Sequence, residues 1–270
     1  MADLGQMYEN GRGVGKDETE AVRWYRSAAS NGSAFGMVRL GAMVADGRGT
    51  GKDEVDAMRW YGKAAEAGNA DAMTNIGVMY RDGRGVGTDD AEAARWFRKA
   101  AEGVSAEGMT NLGYMYETGR GVDKSQVEAV RWYGKAAAAG SAYAMASLGF
   151  GYLRGDGIGK DEAAALRWFR SAADAGDVRG IYGLGLMYEE GRGGVGKDGR
   201  EAAKWILRAL KSGHDYTRQE MLTNNSAWSV EFRREVQYLL KTDGAYDGAI
   251  DGEFGSGVKA AIDRVFGTAK

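Results

Sequence analysis

Residues 69–103 read NADAMTNIGVMYRDGRGVGTDDAEAARWFRKAAEG, and this stretch decides the fold because it returns along the chain. Each copy carries, at fixed places, one tryptophan and one apolar residue followed by glycine. The tryptophans are Trp24, Trp60, Trp96, Trp132, Trp168 and Trp205, and the pairs are Leu4-Gly5, Leu40-Gly41, Ile76-Gly77, Leu112-Gly113, Leu148-Gly149 and Leu184-Gly185. The spacing is 36 residues, with one extra residue between Gly191 and Asp198. A fixed period of this length indicates a repeat protein with six copies of one unit.

Each unit reads as two helices joined by a glycine-rich loop. In the quoted copy, Ile76, Met79 and Tyr80 recur at helical spacing and form one apolar face. After the loop, Asp89 followed three residues later by Glu92 is the sequence pattern of a helix N-terminus. The sequence therefore predicts a helical hairpin for every unit.

The loop GRGVGKD at Gly11–Asp17 raises the alternative of a nucleotide-phosphate site. A Walker-type loop needs Ser or Thr after the lysine, because that hydroxyl holds the magnesium ion. Here Asp17 follows Lys16, and Thr88 replaces the lysine in the third copy. We therefore interpret the loops as turns in which glycine supplies positive φ and the aspartate caps the next helix.

On these motifs the repeat unit resembles the Sel1-like repeat, a relative of the tetratricopeptide repeat, over about Ala2–Gly213. The resemblance implies an all-α fold, a right-handed α/α solenoid of six Sel1-like hairpins. The first repeat is truncated at Met1, which predicts that the chain is the C-terminal part of a longer protein. Sel1-like loops usually read G-V-P-x-D, but the proline is absent from every copy of this chain, so we predict looser turns. Its place is taken by Gly15, Gly51, Gly87, Asp123, Gly159 and Gly196.

The C-terminal tail leaves the period and resembles a small three-helix peptidoglycan-binding domain. The matching residues are Val236, Gln237, Leu239 and Leu240, then Tyr246-Asp247-Gly248, Ile250-Asp251-Gly252 and Phe254-Gly255. The predicted domains are therefore a repeat solenoid over 1–213, a linker or capping segment over 214–228, and a peptidoglycan-binding-like helical domain over 229–270. The resemblance implies that Tyr246, Asp247, Asp251 and Phe254 are the candidates for glycan binding.

Composition excludes several kinds of site. Cysteine is absent and His214 is the single histidine, so thiolate and multi-histidine metal sites are excluded. The net charge of −2, with both signs interspersed, argues against nucleic acid, and no apolar run is long enough for membrane insertion. The acidic run at 243–253 lacks the spacing of a calcium loop. We predict no catalytic residues, no cofactor and no metal.

A binding surface can be sought at positions that differ from copy to copy on one face of the first helix. Residues five before, one before and two after the repeated apolar residue share one face, which lines the concave surface in related solenoids. The partner-binding candidates on this stripe are Arg39, Asn75, Asn111, Tyr114, Tyr143, Ser147 and Phe150. The alternative is that these side chains pack against the neighbouring repeat.

The resulting hypothesis is a non-catalytic scaffold whose concave face binds a protein or peptide, with a C-terminal module that contacts cell wall or caps the solenoid. Because bacterial envelope proteins join these two modules, the resemblance favours a periplasmic or envelope location. The first alternative is a regulatory or sensor arm of a longer enzyme, such as a caspase-like protease, in the cytoplasm. The second alternative is a protein whose main activity is peptidoglycan binding.

Overall fold

A computed structural model describes residues 1–267, which form fifteen α-helices and contain no β-strand. The first helices of the hairpins are α1 (Ala2–Asn10), α3 (Ala34–Asp46), α5 (Ala70–Asp82), α7 (Ala106–Thr118), α9 (Ala142–Arg154) and α11 (Val178–Glu190). The second helices are α2 (Glu18–Ser30), α4 (Glu54–Glu66), α6 (Asp90–Glu102), α8 (Gln126–Ala138), α10 (Glu162–Asp174) and α12 (Gly199–Lys211). This confirms the predicted α/α solenoid of helical hairpins.

The predicted helix caps form at the start of each second helix. In the third repeat, the Asp89 carboxylate accepts a hydrogen bond from the Glu92 backbone N–H at 2.9 Å. The Asp89 backbone N–H donates in turn to the Tyr80 carbonyl of α5 at 2.9 Å, and this bond closes the loop. An equivalent hydrogen bond closes the loop in all six repeats. Its donors are the backbone N–H groups of Asp17, Asp53, Asp89, Ser125, Asp161 and Asp198.

Two glycines of the repeat are required by close approach. A Cβ atom on Gly77 would lie 2.6 Å from the Phe97 ring, so the apolar–glycine pair lets α5 pack directly on α6. Gly85 has a φ of +68°, and a Cβ there would lie 2.5 Å from the Glu54 carbonyl oxygen. Its neighbour Arg84 donates to the Glu54 carboxylate at 3.0 Å, so the loop of the third repeat docks on the second helix of the repeat before it.

The chain divides into two compact units, Met1–Gly140 and Ser141–Lys270. The core of the first unit contains Tyr25, Leu40 and Ile76, and each of these side chains is buried. The core of the second unit joins α10–α12 to the C-terminal helices and includes Phe169, Met187, Ile206, Phe232 and Ile262. The tail and the last repeats therefore share one core within the second unit.

Three α-helices and a short turn follow the last hairpin within the described residues. The predicted linker contains a helix, α13 (Asp215–Thr223), and a short 3₁₀ turn at Asn225–Ala227. Only α14 (Val230–Thr242) and α15 (Ser256–Gly267) follow within the described residues. Because α13 packs against α15, and α14 packs against α12, the segment predicted as a linker or capping segment is packed together with the C-terminal helices.

Candidate interaction surface

The stripe of candidate residues lies on the first helices of the hairpins. Its members in the first unit differ in whether their side chains form hydrogen bonds within the protein. Arg39 on α3 donates through Nη2 to both carboxylate oxygens of Glu9 on α1. The same carboxylate accepts from the Tyr25 hydroxyl at 2.7 Å and from Arg48 at 2.9 Å. Arg39 is therefore part of an ionic network that joins the first two repeats.

Glu9 is the centre of this network and is almost fully buried, with 6% of its surface exposed. Burial by itself would raise the pKa of Glu9, but the hydrogen bonds from Arg39, Tyr25 and Arg48 outweigh it and lower the pKa. Burial and the bond to Glu9 raise the pKa of Tyr25 to about 12. Glu9 is thus a structural carboxylate, held in its charged form by two guanidinium groups.

Asn111 on α7 occupies the same repeat position as Arg39 and is also engaged. Its Oδ1 atom accepts from Arg81 of the preceding repeat at 2.9 Å, and its Nδ2 atom donates to the Glu107 carbonyl at 3.0 Å. Arg81 also pairs with Asp82. Tyr114, three residues further on, is half-buried.

Within the first unit, Asn75 on α5 is the exception among the residues at this repeat position. It is half-buried, and its side-chain amide has no hydrogen-bond partner within residues 1–267. Asp71, one turn before it, is exposed. The residue that would face Asn75 by repeat equivalence is Ala45, which offers no side-chain acceptor or donor. The stripe of the first unit therefore presents one amide that internal contacts leave available.

In the second unit the three candidates lie on α9. Tyr143 is partly exposed, and the guanidinium carbon of Arg179 lies 3.4 Å from the centre of its ring. Arg179 also donates to the Tyr143 carbonyl at 2.7 Å. Ser147 is half-buried, whereas Phe150 packs edge-on against the core residue Phe169 with 4.8 Å between ring centres. Tyr143 and Arg179 thus form an aromatic–guanidinium pair at the surface, and Phe150 contributes to packing.

Sequence reasoning missed the arginines that organise this stripe. Arg81 and Arg179 each bind a candidate residue, and neither is among the residues that the sequence predicts for binding. A signal was present for Arg81, because position pairs 30 residues apart are complementary in type: Glu9 with Arg39, and Arg81 with Asn111. Side chains at these two positions of adjacent repeats meet, so comparing them would have indicated the contact.

The glycan-binding candidates lie in the loop between α14 and α15 and at its end. Phe254 is buried in the core of the second unit, and the Tyr246 hydroxyl donates to the Ala249 carbonyl at 2.9 Å. The Asp251 carboxylate accepts from the Gln237 side chain and from the Glu253 backbone, both at 2.8 Å. These three residues hold the loop together. Asp247 is exposed, and its carboxylate has no hydrogen-bond or ion-pair partner within residues 1–267.

Within residues 1–267, no cluster of three or more histidine, aspartate or glutamate side chains has the arrangement of a metal site. His214 is the N-cap residue of α13, its Nδ1 atom lies 2.6 Å from the Thr217 hydroxyl, and burial lowers its pKa. No helix in this range is both long and apolar enough to cross a membrane.

Comparison with known proteins addresses the repeats and the fold. Six consecutive segments match the Sel1 repeat, at residues 1–33, 34–69, 70–104, 106–141, 142–177 and 178–214. A Sel1 repeat protein from Oxalobacter formigenes is similar in structure, with 38% identity, a TM-score of 0.74, and coverage of 78% of this chain and 86% of that protein. No curated protein sequence matches the chain.

Two further structures are similar. A protective antigen from uropathogenic Escherichia coli, described as having an SLR fold, is 31% identical with a TM-score of 0.73; the match covers 98% of this chain and 60% of that protein. An immunity protein from Pseudomonas aeruginosa is 20% identical with a TM-score of 0.52 over 87% of this chain and 81% of that protein, and it shows likeness of fold alone. With six matching segments and these relatives, the chain belongs to the Sel1 repeat family.

Proposed function

We propose that this protein is a non-catalytic scaffold whose first-helix stripe binds a protein or peptide partner. Sel1 repeats typically serve as protein-interaction scaffolds and are generally non-catalytic. The observation that carries the proposal is the Asn75 amide, which internal contacts leave available while its equivalents Arg39 and Asn111 are engaged. A free amide on a helix face can donate to and accept from the backbone of an extended segment.

The charges beside Asn75 suggest what such a segment carries. Asp71 and Glu107 are exposed one turn before Asn75 and Asn111, and neither forms an ion pair within the described residues. Opposite charges across an interface select partners and increase the association rate. The stripe of the first unit therefore favours an extended peptide with basic side chains facing α5 and α7.

The test begins with selection of binding peptides from a random displayed library against the full chain. The strongest peptide is then titrated against Asn75→Ala and Asp71→Ala, with Asp123→Ala as the control because Asp123 is exposed on a loop away from the stripe. We expect at least tenfold weaker binding for the two stripe variants and no change for the control. Equal affinity for all three variants would remove the stripe from the proposal.

A second candidate is peptidoglycan binding by the C-terminal module. Besides exposed Asp247, α14 and the following loop form an open groove of about 530 Å³ that includes Arg234, Glu235, Tyr238 and Ile250. Tyr238 is 52% exposed. An exposed aromatic ring beside planar charged groups suits a sugar ring, because the ring packs on the C–H face and the charges bind hydroxyls.

Co-sedimentation with insoluble peptidoglycan tests this candidate on the full chain. We expect the parent chain to sediment, and Tyr238→Ala and Asp247→Ala to reduce the bound fraction severalfold. Sedimentation that neither variant alters would place the contact elsewhere, and a parent chain that stays in the supernatant would end the glycan proposal. Binding would favour the envelope location over a cytoplasmic regulatory arm of a longer enzyme, such as a caspase-like protease.

A further inference from the structure

An open groove of about 460 Å³ lies between α4, α5 and α6 of the first unit, away from the stripe. Its lining includes Met58, Gly62, Glu66, Tyr80 and Trp96. The second helix of one repeat and both helices of the next form its walls. Because the repeats share one sequence pattern, each lining residue can be compared with its equivalents in the other copies.

Gly62 leaves an open position in the wall of this groove. The residue lies inside α4, where glycine costs about 1 kcal/mol relative to alanine. A Cβ atom at Gly62 would meet no atom within 4 Å, so packing does not require the glycine. Three of the six copies have arginine at this position, namely Arg26, Arg98 and Arg170, whereas Gly134 repeats the glycine and Leu207 is the sixth. The glycine therefore leaves room that an arginine side chain takes in other repeats.

The next groove along the unit shows how an arginine behaves there. Arg98 on α6 reaches α7, where its Nη2 atom donates to the Tyr116 hydroxyl at 2.7 Å. Tyr116 follows Arg98 by 18 residues, and Tyr80 follows Gly62 by the same separation. Because residue 62 has no side chain, the Tyr80 hydroxyl receives no donor from this position.

The other residues that line the Gly62 groove also suit the aliphatic stem and the guanidinium group of an arginine. Met58 and Met73 provide adaptable apolar walls for an aliphatic stem. The Glu66 carboxylate at the groove can pair with a guanidinium. The cation already present, Lys99, rests on the Trp96 ring with 4.1 Å between its Nζ atom and the ring centre. Its charge is thus held at the indole and not at Tyr80.

We propose that the groove at Gly62 binds an arginine side chain supplied by a protein partner. The arginine lies where Arg98 lies in the next groove, with its guanidinium on the Tyr80 hydroxyl and the Glu66 carboxylate. This is an interaction surface separate from the stripe, so it stands or falls independently of the proposed function.

The probe is N-acetyl-arginine-N-methylamide, titrated into the full chain while the indole N–H signals are followed by NMR. Trp96 lines the Gly62 groove, and Trp132 is its equivalent in the groove that holds Arg98. We expect the probe to shift the Trp96 signal and leave Trp132 unchanged. The matching norleucine amide, which lacks the guanidinium, is expected to shift Trp96 at least fivefold less.

Two reciprocal variants make the test specific. Gly62→Arg fills the groove from inside and abolishes the Trp96 shift, whereas Arg98→Gly opens the next groove and makes Trp132 respond. Glu66→Gln weakens the response at Trp96 severalfold without altering the helix. An unaltered response in Gly62→Arg, an equal response to the norleucine amide, or no response of the parent chain at tens of millimolar probe would each overturn the proposal.

Discussion

At the scale of single residues, Val104 is the described non-glycine residue with positive φ, at +66°. It lies in the turn between the third and fourth repeats, where the equivalent residues are glycines such as Gly32 and Gly68. A β-branched side chain in this region clashes with its own backbone. The Val104 side chain is 72% exposed, so its packing contacts offset little of this strain.

We therefore expect Val104→Gly to stabilise the protein by about 1 kcal/mol, since relief of the strain exceeds the added entropy of the unfolded chain. Urea denaturation measures the change in the free energy of unfolding. Gly68→Val is the matched reverse variant, because Gly68 has φ +80° and open space around its Cβ position. Gly68→Val should lower the free energy of unfolding by a similar amount. No change in either variant would mean that the backbone of this turn is not strained.

Glu9 gives a second prediction, which depends on pH. Glu9→Gln keeps the shape but removes the charge that Arg39 and Arg48 bind, so we expect a loss of about 2 kcal/mol at pH 7. Because folding lowers the pKa of Glu9, its contribution is fully present above the unfolded value of 4.5. The contribution is lost as pH falls through the folded pKa.

The difference between the parent chain and Glu9→Gln should accordingly shrink when unfolding is measured at pH 3 instead of pH 7. Glu20→Gln is the control, since Glu20 forms an exposed pair with Arg23 and such pairs contribute little. A constant difference at both pH values would show that the Glu9 charge is not what stabilises the network.

At the scale of the elements, the glycine-rich loop contains two glycines with opposite requirements. Gly85→Ala should cost about 2 kcal/mol or more, because its φ is positive and the Glu54 carbonyl leaves no room. Gly87 has open space and no positive φ, so Gly87→Ala should be neutral or slightly stabilising. Gly87→Pro should add about 0.4–1 kcal/mol. Thermal unfolding of the three variants checks the order.

The hairpins could be predicted from sequence because each one is encoded locally. The face of α5 and the cap at Asp89 depend on residues within a few positions of each other, and both formed as predicted. The helix α13 was missed because its two buried residues, Thr217 and Met221, give little periodic signal. Its packing against α15 is tertiary, and a linear pattern does not contain it.

The site was less predictable for the same physical reason. Variation between copies identified the stripe, but it could not tell Asn75, whose amide is available, from Asn111, which binds Arg81. The difference depends on the residue that faces each asparagine from the preceding repeat, which is Ala45 for Asn75 and Arg81 for Asn111, and on the direction of the side chains. The glycan candidates were chosen by resemblance, and most of them hold their own loop together.

At the scale of the whole molecule, the C-terminal module is built onto the last repeat of the second unit. The buried carboxylate of Glu189 accepts from the Ser229 backbone N–H at 2.6 Å and from its hydroxyl at 3.1 Å. Gly199 makes room, since a Cβ there would lie 2.8 Å from the Phe232 backbone nitrogen. Other repeats carry an acidic residue or glutamine at that position. The sixth repeat is therefore adapted to this module.

Glu189→Ala should accordingly destabilise the second unit by about 2 kcal/mol, because it leaves the Ser229 groups without their acceptor. Hydrogen exchange should become faster in α14 and remain unchanged in α3–α6 of the first unit. Glu190→Ala is the neighbouring control, because Glu190 is exposed and pairs with Arg192. Slow exchange in α14 of Glu189→Ala would show that the shared apolar core alone holds the module.

The contacts between repeats have a consequence for how the chain is made. Within the first unit, the bonds that join one repeat to the next link residues that are close in sequence, from 30 positions apart for Arg84 and Glu54 to 39 for Arg48 and Glu9. A ribosome that adds about 5–20 residues per second completes one 36-residue repeat in about 2–7 s. Each hairpin can therefore dock on its predecessor as soon as it leaves the exit tunnel. Synthesis itself can set the order in which the repeats assemble, beginning at the N-terminus.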